Sequence, residues 1–239
     1  TYSMIEKRHR DSSMPAKISS REIIAKLAIV LFLFAALLFG SAGTLDWPEA
    51  WLFLIIYLAW AIPIVTWLKK NNPKLLEERV AFFKKPVKGW DKTIMLLGTI
   101  PFTASFLITG FDAVRYQWSQ TPFVLKVLGF AGFIPAFILM FLVMRENTYL
   151  SRIVETQGHK VITTGPYKHV RHPMYVGTIT FYFCIPLALG SLYALIPSSL
   201  VIILIIVRTY LEDKTLHKEL PGYKEYAKKT RYRLLPGIW

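Results

Sequence analysis

Charge is what this sequence has least of. Only 18% of its 239 residues are Asp, Glu, Lys or Arg, against 54% that are hydrophobic. A soluble domain of this length carries more charge and less apolar surface. The shortage is concentrated in long runs that are almost free of charge, which points to a bilayer and not to a large water-soluble core. Cysteine is nearly absent as well. Cys184, the single cysteine, sits within an apolar run without a disulfide partner or a neighbour at metal-ligand spacing. Disulfides, zinc and Cys-x-x-Cys redox chemistry are thereby excluded, no metal site is expected, and a buried, inert thiol is what remains. Acidic residues number 15 against 29 basic ones, a net charge of +14. The basic residues flank the apolar runs, so nucleic acid is the weaker reading of that excess. Internal repeats, low-complexity tracts and mid-span ionisable residues are also missing, Lys126 lying near a span end. The usual marks of a transporter or channel are therefore absent.

What is present reads as a polytopic, all-α membrane protein. About 20 mostly apolar residues cross the hydrocarbon core. Residues 22–42, 48–68, 93–111 and 123–144 meet that length. The last apolar stretch, 173–207, is too long for one span, and Gly190-Ser191 divides it. A tight helical hairpin, 173–189 and 192–211, is expected, its arms bent at Pro186 and Pro197. The total is about six spans. The first is expected to stay as an anchor: its run is long, and Thr44-Leu45-Asp46-Trp47 offers no small-residue cleavage site.

Orientation follows from Lys and Arg. The segment up to Lys26, the 69–92 loop, the 145–172 segment and the region from Arg208 onward together hold 27 of the 29 basic residues. The other side keeps Arg115 and Lys126. Both termini are expected in the cytosol, in the inner or plasma membrane if the source is prokaryotic. Two cytosolic segments look ordered. Asn71-Asn72-Pro73 before Lys74–Arg79 reads as a capped short helix with Pro73 at its first position. After Arg208, Leu211, Leu216 and Leu220 alternate with charges ahead of Tyr223, Tyr226 and Tyr232, a pattern expected of an interfacial amphipathic helix.

Polar chemistry gathers in 158–177, directly before the hairpin. Gly165-Pro166 marks a turn. Pro173 suits the first turn of the next helix, leaving His172 at its N-cap. A helix start aims free N–H groups outward and, beside Arg171 and His172, offers a seat for a carboxylate or phosphate. On its own, Arg171-His172 is more often a basic patch at the membrane edge than a ligand site. A second cluster, Arg208, Glu212 and Asp213, ends the final span. Spacings of four and five put Glu212 near the Arg208 face and Asp213 roughly 100° further round. A snorkelling Arg208 paired with Glu212 at the membrane edge fits the same spacing.

Taken in order, Gly-Pro-Tyr-x-x-x-Arg-His-Pro-x-Tyr-x-Gly, Arg-x-x-x-Glu-Asp, Leu-Pro-Gly-Tyr-x-x-Tyr and Leu-Leu-Pro-Gly closely resemble the isoprenylcysteine carboxyl methyltransferase family, relatives of the membrane phospholipid methyltransferases. The resemblance covers about residues 145–239. Asn72-Pro73, Glu78-Arg79 and Trp90-Asp91-Lys92 also look like its bacterial branch. It implies two regions: 1–144, an N-terminal cytosolic arm and four spans, and 145–239, a catalytic region with cofactor loop, hairpin and interfacial C-terminal segment. It implies S-adenosyl-L-methionine in a cytosol-facing pocket. By motif position, His159, Lys160, Val161 and Ile162 would contact the cofactor, and Tyr167, His172, Pro173, Met174 and Tyr175 would complete its pocket. Arg208 would face the acceptor. The acidic position five residues on would help hold cofactor and reactants; the family usually shows Glu there, whereas here Glu212 precedes Asp213, so both are carried as catalytic candidates.

The function this implies is S-adenosylmethionine-dependent methyl transfer to a lipophilic or membrane-associated acceptor: an isoprenylcysteine carboxylate, a lipid or a small thiol. Methyl transfer is an in-line displacement, so nucleophile and methyl carbon must be held at about 3–3.5 Å with water excluded. A neutral amine must lose a proton, which Glu212 or Asp213 would take. Arg208 suits an anionic acceptor. Trp60, Trp67, Phe102 and Phe106 are candidates to line a lipid-side opening. The alternatives are an NADPH-dependent reductase of the sterol-reductase-related architecture and a non-catalytic membrane scaffold.

Overall fold

A computed structural model describes residues 19–80, 88–147 and 161–239 of the chain. Every regular element among them is helical: α1 (Ser20–Ala42), α2 (Pro48–Asn71), α3 (Pro73–Val80), α4 (Gly89–Gly110), α5 (Phe123–Glu146), α6 (Pro173–Leu189), α7 (Leu195–Glu219) and α8 (Tyr223–Lys229). A 3₁₀ turn, Gly165–Lys168, precedes α6, and α4 runs on into a π-helical turn over Phe111–Arg115. Five helices are long and apolar enough to cross a membrane, α4 counted with its π turn. The remaining arm of the hairpin, α6, is shorter at 17 residues, about 25 Å of helix. The polytopic all-α fold expected from the sequence is therefore present, and the short helix is the first arm of the expected hairpin, 173–189.

Local chemistry sets the helix ends. Ser19 caps α1 by accepting the Glu22 N–H at 3.1 Å. Pro48 opens α2 at a position where its missing N–H costs nothing. Asn72 ends α2, and its side chain then caps α3 by accepting the Leu75 N–H at 3.1 Å, as the Asn-Pro motif leads one to expect. Gly190, at φ 89°, closes α6 in the left-handed region. Ser191 then turns the chain, its hydroxyl accepting the Ala194 N–H.

That turn is held from outside. Asp112, fully buried, accepts bonds from the Ser191 hydroxyl (2.6 Å), the Ser119 hydroxyl (2.7 Å) and the N–H groups of Ser119 and Tyr193. The α6–α7 hairpin is thus bolted to the α4–α5 connection at one end of the bundle. Lys126, the ionisable residue singled out near a span end, pairs there with Glu49 at 2.7 Å.

The most extensive helix pair is α5 with α6. Small residues make the close approach possible. A Cβ at Gly129 would stand 2.3 Å from the Ala188 backbone nitrogen, and one at Gly132 would stand 2.3 Å from the Cys184 sulfur. Helices in lipid associate through this kind of close packing. Cys184 is buried in that interface, as expected. Around it runs an aromatic core in which Phe106 packs against Phe34 at 5.0 Å, Phe133 against Phe181 at 5.4 Å, and Trp60 against Phe137 at 4.7 Å. Phe106 is 1% exposed. It is therefore core and not the rim of a lipid-side opening, because α1, α2 and α4 need large rings to fill the space between them.

Candidate active site

At the end of the bundle that carries α8, the start of α6 meets the last turns of α7. Pro173 is buried at the first helical position of α6, and His172 precedes it as N-cap. The backbone leading into α6 is fixed by a strand-like pairing with the last residues of the chain. Arg171 N–H donates to the Tyr232 carbonyl and His172 N–H to that of Arg233, both at 2.9 Å. The Arg171 side chain turns inward instead of toward an anion or a lipid surface. Its Nη1 donates to the Thr230 and Arg231 carbonyls, and its Nε and Nη2 grip Asp213 at 2.8 and 3.2 Å. Both open readings of Arg171, anion seat and exposed basic patch, give way to a buried ion pair. The physical reason is that three carbonyl and carboxylate partners converge where its five donors can be satisfied.

Asp213 is the hub. Oδ1 accepts from Arg171 and from the Tyr223 hydroxyl at 2.9 Å, and lies 3.3 Å from His172 Nε2. Oδ2 accepts from Arg171 and from Arg233 Nε at 2.8 Å. A carboxylate offers about four lone-pair directions, so this one is filled by structural partners, and it is 1% exposed. Arg233 in turn lies 4.9 Å from the Trp239 ring.

Glu212, one residue earlier, is placed differently. Its side chain is 20% exposed. Tyr175 donates its hydroxyl to Oε2 at 2.5 Å, and His172 Nδ1 stands 3.8 Å from Oε1. His172 thus lies between the two carboxylates, Nε2 toward Asp213 and Nδ1 toward Glu212. Arg208 Cζ is 5.7 Å from the Tyr175 ring centre. The guanidinium is gripped by Asp91 of α4 through two parallel bonds, Nε to Oδ1 at 2.7 Å and Nη2 to Oδ2 at 3.2 Å. Asp91 is fully buried. A simple membrane-edge pair of Arg208 with Glu212 does not describe this arrangement, since the bidentate partner comes from another helix.

The remaining expected cofactor residues form an apolar shelf beside these groups. Val161, Ile162 and Met174 pack with Tyr167, Tyr223 and Tyr226 around Val143. Tyr167 is fixed at both ends, its hydroxyl accepting from Asn147 at 2.8 Å and its carbonyl accepting from the Tyr226 hydroxyl at 2.8 Å. Tyr223 and Tyr226 are buried. They fold back onto the site in place of facing lipid, because the Gly222 turn (φ 81°) reverses the chain after α7. Burial pushes the Tyr226 phenol up to about 12. Burial and then the Asp213 carboxylate raise Tyr223 well beyond the ordinary phenol value, and burial likewise raises Tyr167. All three therefore stay protonated at ordinary pH, Tyr223 donating to Asp213 and Tyr226 to the Tyr167 carbonyl.

The structure thus brings together Val161, Ile162, Tyr167, His172, Pro173, Met174, Tyr175, Arg208, Glu212 and Asp213. His159 and Lys160 lie outside the described residues. Asp91, Tyr223 and Arg233 were not among the expected site residues, and Arg171 was expected only in an anion seat or a basic patch. Tyr223 stood in the Leu-Pro-Gly-Tyr-x-x-Tyr motif, and Asp91 in Trp-Asp-Lys, so a motif signal existed for both without a role attached.

Residues 127–218, which run from the first turns of α5 to the end of α7, match the model of the isoprenylcysteine carboxyl methyltransferase (ICMT) family. The resemblance drawn from the motifs is borne out, and the family is one of methyltransferases. No curated protein matches the chain.

Proposed function

We propose, from the ICMT-family domain in residues 127–218, that this integral membrane protein is an S-adenosylmethionine-dependent methyltransferase acting on a lipophilic or membrane-associated acceptor. The observation that carries the reading is the convergence of Glu212, Tyr175, His172 and Arg208 at the mouth of the hairpin, inside the family-matched segment. A partly open carboxylate beside the ring of Tyr175 suits a sulfonium cation. The apolar shelf of Val161, Ile162, Tyr167 and Met174 suits the flat base of a nucleoside; by motif position alone, His159 and Lys160 belong to the same cofactor set.

Bound there, S-adenosylmethionine would supply an electrophilic methyl group with its sulfur as the leaving group. The protein's part is orientation. Tyr175 fixes Glu212, and Asp213 holds Arg171, His172 and Arg233, so that α6 begins at a set height against α7. Of the two carboxylates, Glu212 acts and Asp213 positions. A carboxylate acceptor needs no base. For a thiol or amine, Glu212 takes the proton and His172 Nδ1 stands next to receive it. Arg208 faces the acceptor. The positive-inside count supports both termini in the cytosol, which opens the site to the soluble cofactor while the acceptor arrives from the bilayer.

The test is calorimetric titration of the detergent-purified protein with S-adenosylhomocysteine, beside NADPH. A panel then follows methyl transfer to S-farnesyl-N-acetylcysteine, to phosphatidylethanolamine vesicles and to a small thiol. Micromolar binding of S-adenosylhomocysteine, none of NADPH, and label in one acceptor are expected. Binding of NADPH alone would replace the reading by the reductase alternative.

A further inference from the structure

Asp91 sits in the first turn of α4, fully buried, with both carboxylate oxygens on Arg208 of α7. Stability does not explain the pair. A buried ion pair recovers little more than its desolvation cost, and α4 is already joined to α7 by the Lys88–Glu219 pair at 2.5 Å and the Ser105–Ser198 hydrogen bond at 2.7 Å. The pair's geometry reaches the reacting end of the molecule in two steps. Arg208 lies against the Tyr175 ring, and the Tyr175 hydroxyl holds Glu212.

There is also an electrostatic conflict for Asp91 to resolve. Without Asp91, the Arg208 guanidinium set beside Tyr175 and Glu212 would draw more of its counter-charge from Glu212 and leave less of it for the sulfonium that the site is proposed to hold. We propose that Asp91 is a positioning residue that fixes the direction of the Arg208 guanidinium and cancels its charge, so that Arg208 and a cationic cofactor share one site. This rests on the methyltransferase reading. Its consequence is that the site discriminates by charge at the position of the methyl group. Removing the Asp91 charge disfavours a cofactor that is positive there and leaves a neutral one almost untouched.

Two analogues separate these cases. S-adenosylhomocysteine is neutral at sulfur, whereas sinefungin carries an ammonium in place of the methylsulfonium. Calorimetry on the full chain in detergent gives the ratio of their dissociation constants for the wild type, Asp91→Asn, Asp91→Glu, Arg208→Gln and Asp91→Asn with Arg208→Gln. In Asp91→Asn, sinefungin should weaken on the order of tenfold more than S-adenosylhomocysteine, as the loss of one unit charge near a partly buried site would give. Asp91→Glu should restore most of the ratio, and the double variant should return it near the wild-type value. Arg208→Gln should move it the opposite way, which keeps the inference open to refutation if Asp91→Asn does not fold. A purely structural Asp91 would weaken both analogues equally. An unchanged ratio in Asp91→Asn, or in Arg208→Gln, overturns the proposal. A wild type that binds neither analogue overturns the methyltransferase reading and this inference with it.

Discussion

At the scale of single residues, the two adjacent carboxylates separate by their surroundings. Asp213 is enclosed by two guanidiniums, an imidazole and a phenol, whereas Glu212 keeps a fifth of its side chain exposed. Breaking a buried charged pair costs about 3–5 kcal/mol because the partners are left uncompensated. Asp213→Asn should therefore lower the unfolding temperature sharply, measured by thermal unfolding in detergent, and S-adenosylhomocysteine binding should go with it. Glu212→Gln should unfold within a few degrees of the wild type while methyl transfer falls by at least tenfold. Equal thermal losses in both variants would refute the division of roles. The buried tyrosines set a pH window. Tyr226 is raised in the folded state to about 12, from about 10 in the unfolded chain. Its contribution is fully present below about pH 10 and is lost as pH rises toward the folded value. The stability gap between wild type and Tyr226→Phe should hold steady from pH 7 to 9 and narrow above pH 10, followed by urea titration at each pH. Much of this chemistry was legible in the chain: Arg-His-Pro-x-Tyr and Arg-x-x-x-Glu-Asp named His172, Tyr175, Arg208 and Glu212. Asp91 was not, because it meets Arg208 across 117 residues, and spacing reports only partners on the same helix. Arg171 misled for a similar reason, since the carbonyls that bury it come from the far end of the chain.

At the scale of elements, hydropathy located the spans but not the helix ends. The expected span 192–211 corresponds to α7, which runs on to Glu219. Hydropathy marks the thickness of the hydrocarbon, while a helix continues wherever its hydrogen bonds are worth keeping. Those extra turns carry Glu212 and Asp213 into the site. Nor could composition show the π turn at Phe111–Arg115, which tilts Asp112 into the hairpin turn. The α5–α6 seam makes the sharpest packing prediction. A side chain at Gly129 would meet the Ala188 backbone, which cannot move aside as a side-chain tip can, whereas Gly40 of α1 has nothing within 4 Å. Gly129→Val should destabilise by about 1–3 kcal/mol or more through overpacking. Gly40→Ala should leave the unfolding temperature level or slightly raised. Both are read by thermal unfolding in the same detergent, and a tolerated Gly129→Val would mean the helices are not packed this closely.

At the scale of the whole molecule, the two ends of the bundle are chemically unlike, and that difference predicts which way the chain lies. One end holds the site and α8, whose last turn carries Lys228 and Lys229. The other holds Asp112, the Lys126–Glu49 pair and a cluster of exposed rings, Tyr116, Trp118 and Tyr193, with Tyr116 and Trp118 stacked at 5.3 Å. Rings that are apolar in body and polar at the tip collect at the headgroup level, so this second end marks a membrane surface. Basic residues near span ends are retained on the cytosolic side, so the α8 end is predicted to face the cytosol and the Trp118 end to face away. Cys184 makes the test simple, because it is buried and is the only native thiol. After Cys184→Ser, one cysteine is introduced at the exposed Gln120 and another, separately, at the exposed Lys224. A membrane-impermeant maleimide applied to intact cells should label Gln120→Cys alone, and Lys224→Cys only after the membrane is opened. The reverse pattern would put the Glu212 and Arg208 site on the side away from cytosolic S-adenosylmethionine. An enzyme so oriented could not meet its cofactor, and the proposed function would fail on topology alone.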